Sequence, residues 1–173
     1  MHHASRPLFA LACTTGALLA ALAATPAEAG GRLAVRGHDG AAVGAVRHGP
    51  NGGGFARGRA ISGDGQGNGR LVSGGAFRGP NGGSGARAGE TTRAADGSLN
   101  HRSGFQASNA NGSVSSQGSA TRSADGEITQ SRTTTATGAA GNTYNGSTSY
   151  SKETGVVHSA SCTDAAGAAI PCR

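Results

Sequence analysis

A glycine that returns about every fifteen residues constrains this chain more than any other feature. It stands at Gly52, Gly67, Gly82, Gly97, Gly112, Gly126, Gly141 and Gly155, at intervals of 15, 15, 15, 15, 14, 15 and 14. Asn, Asp or Gln precedes most of these glycines. The tetrads Gly49-Pro50-Asn51-Gly52, Gly79-Pro80-Asn81-Gly82, Ala94-Ala95-Asp96-Gly97 and Ser123-Ala124-Asp125-Gly126 have the composition of turns, and Arg78, Arg93 and Arg122 stand just before three of them. Asn-Gly and Asp-Gly accept the positive φ angles of tight hairpins. Self-similarity at a fixed period marks a repeat architecture.

Each period leaves room for a strand of about 11 residues, roughly 36 Å long at about 3.3 Å per residue. An aliphatic residue follows the turn glycine at two places on: Leu99, Val114, Ile128 and Val157. Leu99, His101, Ser103, Phe105 and Ala107 alternate with more polar neighbours, the pattern of a half-buried strand. Gly, Ser, Thr and Asn disfavour helix throughout. The expected fold is mainly β, a repetitive antiparallel meander. The alternative is a β-solenoid with Leu99, Val114 and Ile128 stacked inside.

The first 29 residues form a separate unit. A short polar start carrying Arg6 leads into an apolar run from Leu8 to Ala24, then Thr25-Pro26 and the small-x-small exit Ala27-Glu28-Ala29. That order is the one signal peptidase reads, with cleavage after Ala29. The apolar run is too short and interrupted for a retained membrane helix. Ala10-Leu11-Ala12-Cys13 is a weak rival, a lipid-attachment box that would make an outer-membrane lipoprotein through Cys13. It lacks the larger aliphatic residue that such a box wants three places before the cysteine. The chain is therefore expected to be periplasmic or extracellular.

Residues 30–173 carry 18 large apolar side chains among 144 residues, too few for an ordinary core. Such a chain is either disordered in part or a thin sheet held by backbone hydrogen bonds and side-chain ladders. Its two parts differ. Residues 30–89 hold 21 glycines and eight Arg against two Asp; residues 90–173 hold ten glycines, are rich in Ser and Thr, and balance six basic against six acidic side chains. The glycine-rich part is the one expected to be flexible, because glycine raises the backbone entropy that folding must overcome. A boundary is expected near Gly89.

The GPNGG turns, the TR-x-AD-G turns and the ending Cys-Thr-Asp-Ala-Ala-Gly-x-x-Ile-Pro-Cys resemble exported Gly/Ser/Thr-rich repeat proteins of Gram-negative bacteria, over about residues 49–173. The resemblance implies export and β-rich repeats, and brings no activity with it.

Two cysteines remain after the leader, Cys162 and Cys172. An even number in an exported chain implies a disulfide, and Asp164-Ala165-Ala166-Gly167 supplies a turn between them. The spacing suits neither a C-x-x-C redox pair nor a zinc site.

Catalytic chemistry finds no footing. No G-x-S-x-G elbow occurs, and His38, His48, His101 and His158 stand far apart. Gly63-Asp64-Gly65-Gln66-Gly67-Asn68-Gly69 resembles one calcium-binding nonapeptide, but the repeated Asp ligands are missing, so no cofactor is expected. Thr133-Thr134-Thr135 suggests an ice-binding ladder, yet threonines keep no common offset from the turn glycines. One feature suits binding: Arg57, Arg59, Arg70, Arg78 and Arg87, with Phe55 and Phe77, form a basic-aromatic tract. Export leaves anionic envelope polymers or extracellular DNA as its partners. The expectations are an exported structural or surface-interaction protein, with a polyanion-binding module as the alternative.

Overall fold

The computed structural model describes residues 30–49 and 51–172. The expected signal peptide, residues 1–29, and the lipid-attachment alternative at Cys13 lie outside the described residues. Eleven strands follow one another: β1 (Gly31–Gly37), β2 (Gly40–His48), β3 (Gly54–Gly63), β4 (Gly69–Arg78), β5 (Ser84–Arg93), β6 (Leu99–Asn109), β7 (Gly112–Arg122), β8 (Ile128–Gly138), β9 (Thr143–Ser151), β10 (Gly155–Thr163) and β11 (Ala169–Ile170). Their order in the single sheet is their order in the chain, and β1 and β11 are its two ends, so the sheet is open. Every pairing is antiparallel. This is the meander and not the solenoid, because the chain reverses at each turn glycine instead of coiling past it. The expected length of about 11 residues is met by β6, β7 and β8.

The turns explain the period. All eight repeat glycines have positive φ, from 66° at Gly155 to 138° at Gly112. Six turns share one bonding pattern. At Ser123, for example, the backbone N–H donates to the Glu127 carbonyl (2.9 Å), and the Gly126 N–H donates to the Ser123 carbonyl (3.0 Å). That is a three-residue hairpin: a type I turn closed by a left-handed residue. Aspartates brace several of these turns. The Asp164 carboxylate accepts from the Ala166 and Ala168 N–H groups, at 2.9 and 2.8 Å. The carboxyls of Asp96 and Asp125 are held below the ordinary range, chiefly by the hydroxyls of Ser98 and Ser123.

Among the described residues no hydrophobic side chain is buried; only Ser116, at 8% exposure, is. The sheet is one layer with solvent on both sides, as eighteen large apolar residues in 144 require. Both compositional parts contribute to it. The glycine-rich stretch read as the more flexible forms β1 to β4 and part of β5, and the boundary expected near Gly89 falls inside β5.

Candidate functional site: the arginine face

Residues directly opposite one another in an antiparallel pair share a face, and alternate residues on a strand take opposite faces. The registers run without a bulge from β1 to β11, so each face can be traced across the sheet. One continuous row is Arg47, Phe55, Phe77, Gly85, Ala107, Val114, Ala136, Tyr144 and Cys162. The next row on this face joins Arg57, Gly75, Arg87, Phe105, Ser116 and Thr134.

Followed throughout, this face collects nine arginines. Arg32, Arg36 and Arg47 lie on β1 and β2, Arg57 and Arg59 on β3, and Arg87 and Arg93 on β5; Arg122 and Arg132 complete the set. Phe55, Phe77, Phe105, Tyr144 and Tyr150, all the aromatics among the described residues, share it. No carboxylate does. Seven of the eight described carboxylates sit in the connections between strands, and the eighth, Glu90, faces the other way, opposite Val72 and Arg102.

Local contacts hold some of these side chains. The Arg57 guanidinium lies 5.9 Å from the centre of the Phe55 ring, within cation–π range. Arg132 donates to the Ser116 hydroxyl at 3.1 Å, and Ser116 donates in turn to the Thr133 carbonyl. Between arginines the floor is small: Gly75 separates Arg57 from Arg87, and Ser73 and Gly89 follow Arg59 in its row. Further along, His101, Gly118, Ala120, Arg132 and Tyr150 are among the residues that line an open depression.

Of the five arginines expected to bind, the structure brings three together. Arg57, Arg59 and Arg87 join Phe55 and Phe77 on this face, whereas Arg70 and Arg78 point to the opposite one. Arg70 is also engaged, its Nε 2.6 Å from a Glu90 carboxylate oxygen. That contact raises the Arg70 pKa and lowers that of Glu90. Six further arginines of the face were not among those expected to bind, although Arg93 and Arg122 stood out as residues preceding turns. Their signal was strand parity, which becomes readable only when the residue entering each turn is known.

The opposite face is different. From β2 to β5 it is lined by small residues such as Ala42, Gly44, Ala56, Gly58, Ala76 and Ala88. From β7 onward it is lined by hydroxyls that bond across strands: Ser119 to Ser131 (2.9 Å), Thr121 to Thr129 (2.6 Å) and Ser147 to Ser159 (2.8 Å). Thr133 and Thr135 lie here, while Thr134 lies on the arginine face. Leu99, Val114 and Ile128 lie on the arginine face, but Val157 falls on this one. The reason is local: β9 passes to β10 through the pair Ser151 and Gly155, which belongs to the hydroxyl side.

Cys162 and Cys172 stand at disulfide distance, with sulfurs 2.15 Å apart and Cα atoms 5.3 Å apart. They tie the end of the chain beside β10, where β11 pairs only with Cys162 and Thr163. No helix among the described residues is long and apolar enough to cross a membrane. No protein-family model matches the chain, and neither a curated protein nor a solved structure matches it.

Proposed function

We propose that this is an exported surface-interaction protein of the Gram-negative type its turns resemble, and that its arginine face binds anionic polymers of the envelope or extracellular DNA. One observation carries the reading: nine arginines and five aromatics share a face without a single carboxylate, while the acidic residues are held in the turns or on the other side. Cations spread over a flat surface match a polymer with many charges better than a small anion, which would need a concave site. Exposed aromatic rings beside them offer stacking partners to bases or sugar rings.

The test is the salt dependence of binding to a single-stranded oligonucleotide. Affinity falls with salt in proportion to the number of charges neutralised, with a log–log slope of about −0.7 for each contact to a single strand. Replacing Arg57, Arg59 and Arg87 together by Ala should reduce the slope by about 2. Replacing Arg70 and Arg78, on the opposite face, should leave it nearly unchanged. Equal losses from the two variants, or no binding at low salt, would defeat the proposal.

A spacer or matrix role for the same array is the second reading. It is favoured by a sheet that encloses no hydrophobic core and presents both faces to solvent. Cells lacking the protein would then lose adhesion or envelope integrity even where polyanions are absent.

A further inference from the structure

The two ends of the sheet offer unpaired strand edges, and they are complementary. Among the described residues, β1 on one side pairs only with β2. On the other, β11 covers only Cys162 and Thr163 of β10, leaving Gly155–Ser161 uncovered. Each open edge is seven residues long. We propose that β1 of one copy pairs antiparallel with β10 of the next, so that the protein assembles end to end into an extended sheet.

Hydrogen-bond geometry supports this pairing. A two-residue turn, His38-Asp39, joins the partners Gly37 and Gly40, which makes them a doubly bonded pair. Bonding alternates along the strand, so Gly31, Leu33, Val35 and Gly37 bond to β2. Arg32, Ala34 and Arg36 therefore turn their N–H and C=O groups outward. At the other end, the Asp164 N–H donates to the Ala168 carbonyl, and Cys162 opposes Ile170. By the same alternation Val156, His158 and Ala160 turn their backbone groups outward.

Both outward sets belong to the arginine face. Because β1 and β10 run in opposite directions, an incoming β1 continues the meander with its faces matched. The arginine face of one copy would run on into that of the next, and Leu33 and Val35 would meet Val157 on the other side. The side chains agree with this fit. Val156 is the most exposed large apolar residue described, at 71%, and Val35 and Val157 follow at 54% and 50% alongside Ile61 at 55%. Neither edge carries a Pro or a carboxylate, and the charged side chains there are Arg32 and Arg36 of β1, which stand on the arginine face and meet no cation on Gly155–Ser161. The contact joins two different edges, so it is heterologous and leaves a free edge at each end of the assembly. It uses the edges and not the arginine face, so it stands or falls separately from the polyanion reading.

Two variants test it. Ala34→Pro removes an outward N–H from β1, and His158→Pro removes one from β10; each leaves the inward ladder intact. The oxidised protein should show a concentration-dependent increase in sedimentation coefficient, with elongated particles visible by electron microscopy. Each variant alone should remain a monomer with an unchanged β-sheet circular dichroism spectrum. Mixed in equal amounts, the two should form a dimer and nothing larger, since each retains the edge that the other lacks. A wild-type protein that stays monomeric at high concentration would overturn the proposal, as would single variants that still grow or a mixture that forms no dimer. Should a variant lose its β spectrum, Val35→Lys and Val157→Lys at the same two edges are read by the same mixing criterion.

Discussion

At the scale of single residues, the turn glycines determine where the chain can reverse. Gly126 sits at φ 91°, and a Cβ there would meet nothing within 4 Å, so its cost would be conformational alone. A left-handed backbone disfavours an ordinary L-residue by about 1–2 kcal/mol, and Asn by less. Gly126→Ala should therefore lower the urea midpoint clearly, with Gly126→Asn falling between it and the native protein. Equal midpoints for all three would show that the turn tolerates the substitution and that this glycine does not set the reversal. All eight repeat glycines could be found from spacing and neighbours, because a positive φ leaves its mark on the residue type itself. The arginines were harder to read: Arg57 and Arg70 look alike in sequence, yet one lies beside Phe55 and the other against Glu90.

At the scale of strands, the side chains of this sheet stabilise it chiefly in cross-strand pairs, since there is no second layer to pack against. Thr121 and Thr129 are opposite one another in β7 and β8, with hydroxyls 2.6 Å apart. Such pairs contribute roughly 0.2–1 kcal/mol relative to Ala–Ala. A double-mutant cycle with Thr121→Ala and Thr129→Ala should give a coupling in that range, and additive effects would show that the pair contributes nothing beyond its single residues. The strands themselves were legible from the period and from the alternation of Leu99 to Ala107. Which face a residue takes was less so. Val157 looked equivalent to Leu99, but the residue that enters each turn determines the face of everything after it. A change of one residue there exchanges the two sides.

At the scale of the whole molecule, a sheet with no buried hydrophobic side chain should unfold with an unusual thermal signature. Globular domains show a heat-capacity change of about 12–15 cal/mol/K per residue, which arises from newly exposed apolar surface. Here calorimetry of the monomeric Ala34→Pro variant should give less than about half that value. A normal value would mean that apolar surface is buried somewhere, against this architecture. The same thinness makes the edges prominent, because strand addition is the way such a sheet can gain backbone hydrogen bonds without a core.

The sequence alone pointed to a β-rich chain that turns at intervals of fourteen or fifteen residues and has no ordinary core. These are consequences of local chemistry: glycine where φ is positive, and too few large apolar side chains to enclose. Only the tertiary structure decided that the turns give a meander and not a coil, that nine arginines gather on one side, and that the sheet keeps two open strand edges. Those outcomes depend on the register of every strand with its neighbour. Register is a relation between residues distant in the chain, and no single stretch of sequence contains it.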